Sequence, residues 1–281
     1  MTPNVERIAP SFLVIGAGKA GTTWIYRLLK MHPQVFLASA KETLYFADEF
    51  RRGPAWYAGF FKDSGRANAA GEVSNTYIFY PDTPRRIHDH NPDMKLVASL
   101  RNPIDRALSH YVLMLRNAQE RGTFEDVLER HPELLERGLY AKHLSEYLRL
   151  FAREQLLVLL FDDLKRDSRS FAASICAFLA IDPLFPESAA ERALPASKPR
   201  SRAVAYVVKR VALGVRRLGF PSLVNQVKES RLPSLLYQPL KDDEYPVIAP
   251  ETRARLRAYF HDDVRALSDI VGRDMVAQWS M

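Results

Sequence analysis

Lys19, Gly21, Thr22 and Thr23 follow an apolar run, Phe12-Leu13-Val14-Ile15, and precede a stretch with Trp24, Leu28 and Leu29 at helical spacing. These types in this order suit the holding of an oxyanion. A buried strand that feeds a glycine loop into a helix start aims backbone N–H groups and the positive helix end at one point. Lys19 adds a full charge there, and the two threonine hydroxyls add donors. Ala20 completes the loop among the candidate phosphate contacts. In the common P-loop, G-x-x-x-x-G-K-[ST], the lysine follows the second glycine; here Lys19 precedes Gly21, so the nucleotide need not be ATP.

Elements that could position this loop alternate along the chain. Apolar runs predict strands over 12–15, 34–37, 71–77, 94–100 and 155–161. Helical spacing and start signals predict helices from residue 22 and over 81–90, 103–117, 139–151, 168–179 and 250–271. Residues 48–66, which mix Phe50, Trp56, Tyr57, Phe60 and Phe61 with Arg51, Arg52 and Lys62, suggest a helix covering the sheet. The alternation predicts an α/β fold: one P-loop-like domain spanning 1–281, with a mostly parallel central sheet flanked by helices. Ligands would then bind beyond the carboxyl ends of the strands. Strand 94–100 delivers Arg101 to that edge, and Pro103 suits the first position of the helix that carries Ser109.

With 47% hydrophobic and 26% charged residues, the 281-residue chain has a globular composition. Its one cysteine, Cys176, can form no intrachain disulfide, which agrees with a reducing compartment. No apolar run is long enough to span a membrane, and the N-terminal stretch lacks the features of a signal peptide. The expectation is therefore a cytoplasmic protein. The net charge of +7 permits anionic partners, but no zinc spacing, RNP pattern or helix-turn-helix signal accompanies it, so no nucleic-acid partner is expected. Residues 203–245 are the variable part. The span 203–220 carries four cations and no acid. It could roof an acceptor cleft, make a peripheral membrane contact, or simply pack.

Two segments, GAGKAGTTWIYRLL at 16–29 and SLRNPIDRALSHY at 99–111, resemble the nucleotide-binding segments of the sulfotransferase family, which uses 3′-phosphoadenosine 5′-phosphosulfate (PAPS) as donor. The likeness is closest to the branch containing heparan sulfate N- and 3-O-sulfotransferases and their bacterial relatives. It extends to Lys41-Glu42, to GLYAKHLSEYL at 138–148 and to PETRARLRAYF at 250–260. The resemblance implies that Lys19, Ala20, Gly21, Thr22 and Thr23 hold the phosphosulfate, with Lys19 at the bridging oxygen where leaving-group charge develops. It implies that Arg101 and Ser109 hold the 3′-phosphate. Glu42 becomes the general base for the acceptor proton, with Lys41 and Tyr45 on the donor or substrate side. Lys198 and Arg200 occupy the place of a family Lys-Gly-Arg segment that closes over the cofactor, although Pro199 replaces its glycine. Leu44 stands where the heparan branch commonly has a histidine, which loosens any inference to a polysaccharide acceptor.

The leading expectation is in-line sulfuryl transfer, without a metal, from PAPS to a hydroxyl or amine of a carbohydrate, lipid or small-molecule acceptor. The alternative is an ATP-dependent nucleotide or small-molecule kinase, for which Asp162 and Asp163 are the only Walker B-like contenders. A non-enzymatic binding protein is a third reading. The acceptor and the oligomeric state are not legible in the sequence.

Overall fold

Apolar residues buried on both faces suit a strand in the middle of a parallel sheet, and β1 (Phe12–Gly16) is buried throughout. In the computed structural model it lies between β3 (Ala69–Val73) and β4 (Lys95–Leu100), with β2 (Val35–Leu37) and β5 (Leu156–Leu160) at the edges. The order is β2-β3-β1-β4-β5 and every pairing is parallel. The structure describes residues 10–65, 67–117, 119–186, 197–199, 201–217, 237–239 and 245–281. It divides into two compact units, Met1–Leu100 with Ser145–Ala193, and Arg101–Leu144 with Leu194–Met281.

The first unit holds the whole five-stranded sheet, with α1 (Thr22–Met31), α2 (Pro54–Ala58), α3 (Thr83–His90), α8 (Phe161–Arg166) and α9 (Ser168–Leu179). Phe12, Val14, Val97 and Leu159 form one core with Trp24, Ile25 and Leu28 of α1 and Phe171, Ile175 and Cys176 of α9. Trp24 meets Phe171 edge-on at 5.6 Å. Gly71 pairs with Phe12, and a Cβ there would lie 2.3 Å from the Phe12 ring. After β1 the chain goes to β2 on one side of the sheet; after β4 it goes to β5 on the other. The carboxyl ends of β1 and β4 therefore flank the point where the connections diverge, the place where open α/β sheets bind ligands. The Ala17 N–H donates to the Ser99 carbonyl at 2.8 Å and ties these two ends together.

The second unit contains α4 (Pro103–Arg116), α5 (Phe124–Arg130), α6 (Glu133–Glu136), α10 (Arg202–Arg217), α11 (Pro250–Val271) and α12 (Met275–Trp279). The helix α7 (Tyr140–Leu148) begins in it and ends in the first unit. Asn102 caps α4 by accepting from the N–H groups of Ile104 and Asp105. Asp263 of α11 accepts from the Ala141 and Lys142 N–H groups, both at 3.0 Å, at the start of α7. Gly138 fits because a Cβ there would lie 2.6 Å from Phe260 and 2.9 Å from Pro103. A two-stranded antiparallel ribbon pairs β6 (Ser197–Pro199) with β7 (Tyr237–Pro239). Among the described residues no helix is long and apolar enough to cross a membrane.

All five predicted strands of the main sheet are present, with shifted ends. The strand expected over 71–77 runs Ala69–Val73 and gives way to a 3-10 turn at Tyr77–Phe79. The apolar run at 155–161 ends as a strand at Leu160, because Phe161 already opens α8. The expected helix over 48–66 is instead three short pieces, Phe50–Arg52, Pro54–Ala58 and Gly59–Phe61. Gly53, at φ 78°, breaks the first from the second.

Candidate active site

The loop after β1 turns back on itself through left-handed residues, Lys19 at φ 75° and Gly21 at φ 91°. Gly21 stands at the N-cap of α1 and offers no side chain to the first-turn N–H groups, and that turn contains no acid. The helix end thus keeps its positive character, as an anion site requires. Ser99 donates to the Ala20 carbonyl at 2.6 Å and fastens the loop to the end of β4. A Cβ at Gly21 would lie 2.9 Å from Leu164 and 3.1 Å from Phe161, so α8 closes the loop from behind. Lys19, Ala20, Gly21, Thr22 and Thr23 lie on this one turn; Ala20 and Thr22 are buried, the others half-buried.

Lys41 and Glu42 reach the same place from another segment. Lys41 Nζ donates to Thr23 Oγ1 at 3.2 Å and lies 3.8 Å from Glu42 Oε1. The ammonium also sits 5.5 Å from the Tyr26 ring centroid. Glu42 is left-handed, at φ 60°, and its N–H donates to the Val73 carbonyl at the end of β3 at 3.0 Å. A non-glycine residue in this region costs roughly 1–3 kcal/mol and persists only where its surroundings over-determine it. Among the described residues, two of the five such residues are Lys19 and Glu42, the two given catalytic roles in the sequence-based expectation.

Two residues that sequence reasoning passed over complete the arrangement. Asn75 Nδ2 donates to Glu42 Oε1 at 2.7 Å. Glu72, 1% exposed, accepts from Thr43 N–H at 3.1 Å, Thr43 Oγ1 at 2.7 Å, Tyr57 OH at 2.7 Å, Tyr77 OH at 3.1 Å, and from the Ser74 hydroxyl. Burial pushes the Glu72 carboxyl up from its ordinary value, against the pull of these hydrogen bonds. The available signal was a charged residue and polar neighbours, Glu72-Val73-Ser74-Asn75, at the end of a strand beside β1.

Tyr45 departs from its expected place on the substrate side. It is 3% exposed and stacks on Tyr57 at 4.3 Å, within an aromatic cluster that includes Phe46, Phe50 and Trp56. Its ring is packing for the segment that carries Glu42.

Arg101 and Ser109 belong to the second unit. Arg101 follows directly on β4, and its carbonyl accepts from the buried Tyr140 hydroxyl at 2.9 Å. Ser109 is half-buried on α4. The Lys198 backbone is in β6 opposite Gln238; its side chain and Arg200 lie outside the described residues. Asp163, a contender under the kinase alternative, pairs with Arg166 at 2.7 Å on the surface of α8. Among the described residues no group of three or more His, Cys, Asp or Glu side chains could hold a metal ion.

Residues 9–194 match the family model described as "Sulfotransferase domain". The chain is 31% identical over 184 residues to mouse heparan sulfate glucosamine 3-O-sulfotransferase 6, covering 63% of this chain and 54% of that protein. It is 26% identical over 274 residues to mouse heparan sulfate glucosamine 3-O-sulfotransferase 3B1, covering 94% of this chain and 64% of the relative. The chain thus spans between half and two thirds of the length of these relatives. The sulfotransferase structure from Alicyclobacillus acidocaldarius superposes with a TM-score of 0.71 at 26% identity, covering 97% of this chain and 99% of the other. These matches give no support to the kinase alternative. The expectation of a cytoplasmic location is overturned by the relatives, which include the membrane-associated sulfotransferase kil1 of Dictyostelium discoideum, 37% identical over 105 residues, 36% of this chain and 22% of that one. The glycine loop, the parallel sheet that presents it and the match over 9–194 agree: the chain belongs to the sulfotransferase domain family.

Proposed function

We propose that the protein is a PAPS-dependent sulfotransferase that transfers the sulfuryl group in line to a hydroxyl or amine of a glycan, lipid or small-molecule acceptor. One observation carries the reading. Lys41 bonds Thr23 in the first turn of α1, so the segment bearing Glu42 is tied directly to the helix end that attracts an anion. The uncapped, acid-free helix start with Lys19 beside it fits a phosphosulfate. When bound, PAPS supplies a sulfuryl group on a phosphate leaving group.

Glu42 takes the acceptor proton as the new S–O or S–N bond forms, and Lys19 offsets charge on the departing bridging oxygen. Thr22, Thr23 and the loop amides orient the donor, while the family resemblance assigns the 3′-phosphate to Arg101 and Ser109. A sugar hydroxyl leads among acceptors, since the curated relatives are named as glucosamine 3-O-sulfotransferases. The test is a panel of glucosamine-containing glycans, glycolipids and small alcohols with labelled PAPS, beside melting shifts with 3′,5′-adenosine bisphosphate and with ATP and Mg²⁺. Stabilisation by ATP and Mg²⁺ alone would reject the reading.

A peripheral contact with an anionic membrane is a second proposal, for α10. Val204, Val207, Val208 and Val211 are exposed on it, and it holds no acid. Equal sedimentation with anionic and neutral vesicles would dismiss it.

A further inference from the structure

Asn75 stands between the two halves of the chemistry described above. Its Nδ2 donates to Glu42 Oε1 at 2.7 Å, and its Oδ1 faces the phosphate loop, where a Cβ added to Gly18 would be 3.5 Å away. Its own backbone carbonyl closes on the same loop, 2.9 Å from where a Gly16 Cβ would sit. The side chain is half-buried, just beyond the end of β3. Neither end of the Asn75–Glu42 bond is loose. Thr43, next to Glu42, and Ser74, next to Asn75, both donate to Oε1 of the buried Glu72.

We propose that Asn75 is a positioning residue that sets the orientation of the Glu42 carboxylate relative to the phosphate loop, with Glu72 fixing both ends of the bond. The inference rests on the sulfotransferase reading and on Glu42 as its base. A carboxylate on a flexible side chain can turn its oxygens away from an acceptor. An amide bonded to one oxygen holds its plane, and reactions of this type lose rate steeply when the base is misaligned.

Two variants separate orientation from folding. Asn75→Leu keeps a similar volume without the donor. Asn75→Asp places a second carboxylate against Glu42 Oε1, where both cannot be ionised without repulsion. With the wild-type acceptor assay in hand, Asn75→Leu is expected to lower kcat by roughly tenfold or more, with KM for PAPS and the melting shift by 3′,5′-adenosine bisphosphate kept within about twofold. Asn75→Asp is expected to move the acid limb of the kcat profile to higher pH. If both variants keep the wild-type kcat and pH limb, or lose nucleotide stabilisation with no movement of the limb, the proposal is overturned. A wild type that moves no sulfate from PAPS removes the functional reading and this inference together; a wild type that does so but is indifferent to residue 75 removes the inference alone.

Discussion

Thr43 and Ser74 meet on one oxygen. Each donates its hydroxyl to Glu72 Oε1, although they lie on different segments of the sheet's carboxyl edge. Tyr57 and Tyr77 add donors to the same carboxylate, and Thr43 adds its N–H. Every partner in this set donates, so an acceptor-only side chain is what the site requires.

Glu72→Gln should therefore do more harm than its small change in shape suggests. The new amide NH₂ would face hydroxyl donors, leaving buried groups unsatisfied at a cost of about 1–3 kcal/mol. Chemical denaturation would register this as a lower midpoint with an unchanged slope. A midpoint equal to that of the wild type would show that the cluster does not hold the segment.

Lys19→Ala removes the charge beside the helix start but leaves the glycine turn. Loss of one group that stabilises developing charge commonly lowers kcat by roughly 100- to 1,000-fold. Steady-state rates with saturating donor are expected to show this drop with a melting temperature close to that of the wild type. A rise in KM with kcat unchanged would place Lys19 outside the chemistry.

His131 gives a pH-dependent contribution to stability in the second unit. Its two ring nitrogens face Glu120 and Glu133, at 2.8 Å and 2.9 Å, and the bond to Glu120, then that to Glu133, raises its pKa. Both bonds are donations only when the ring is protonated. A raised pKa in the folded state means that this contribution is complete below the unfolded histidine value of about 6.5 and is lost as pH rises through the folded value. The melting temperature of the wild type should exceed that of His131→Gln at about pH 5.5, and the gap should close by about pH 8. A gap that is constant with pH would contradict the pairing.

His90 acts with the opposite sign in the first unit. It is packed against the Phe46 and Tyr57 rings, and burial lowers its pKa. Protonation then favours the unfolded chain as pH falls below about 6.5. His90→Phe should flatten the acid side of the wild-type stability curve; an unchanged curve would discount the group.

The sheet and the glycine loop after β1 were legible in the sequence because both are local. Apolar runs mark the strands, and Lys19-Ala20-Gly21-Thr22-Thr23 is contiguous. Lys41-Glu42 drew attention only through family resemblance, since an isolated Lys-Glu pair usually lies in solvent. Asn75 and Glu72 were not legible as site residues, because their partners are brought in by the parallel pairing of β3 with β1 and by the left-handed backbone of Glu42. The broken helix at residues 48–66 shows the converse. Its aromatic residues suggested one amphipathic helix, but Gly53-Pro54 ends one turn and starts another.

The most direct measurement is transfer of labelled sulfate from PAPS, by the wild type and by Glu42→Gln, to the acceptor that the panel selects. The wild type should transfer label, and Glu42→Gln should lose roughly 100-fold or more in kcat while 3′,5′-adenosine bisphosphate still raises its melting temperature. Near-normal transfer by Glu42→Gln with the nucleotide still bound would contradict the assignment of the base and, with it, the account of the site.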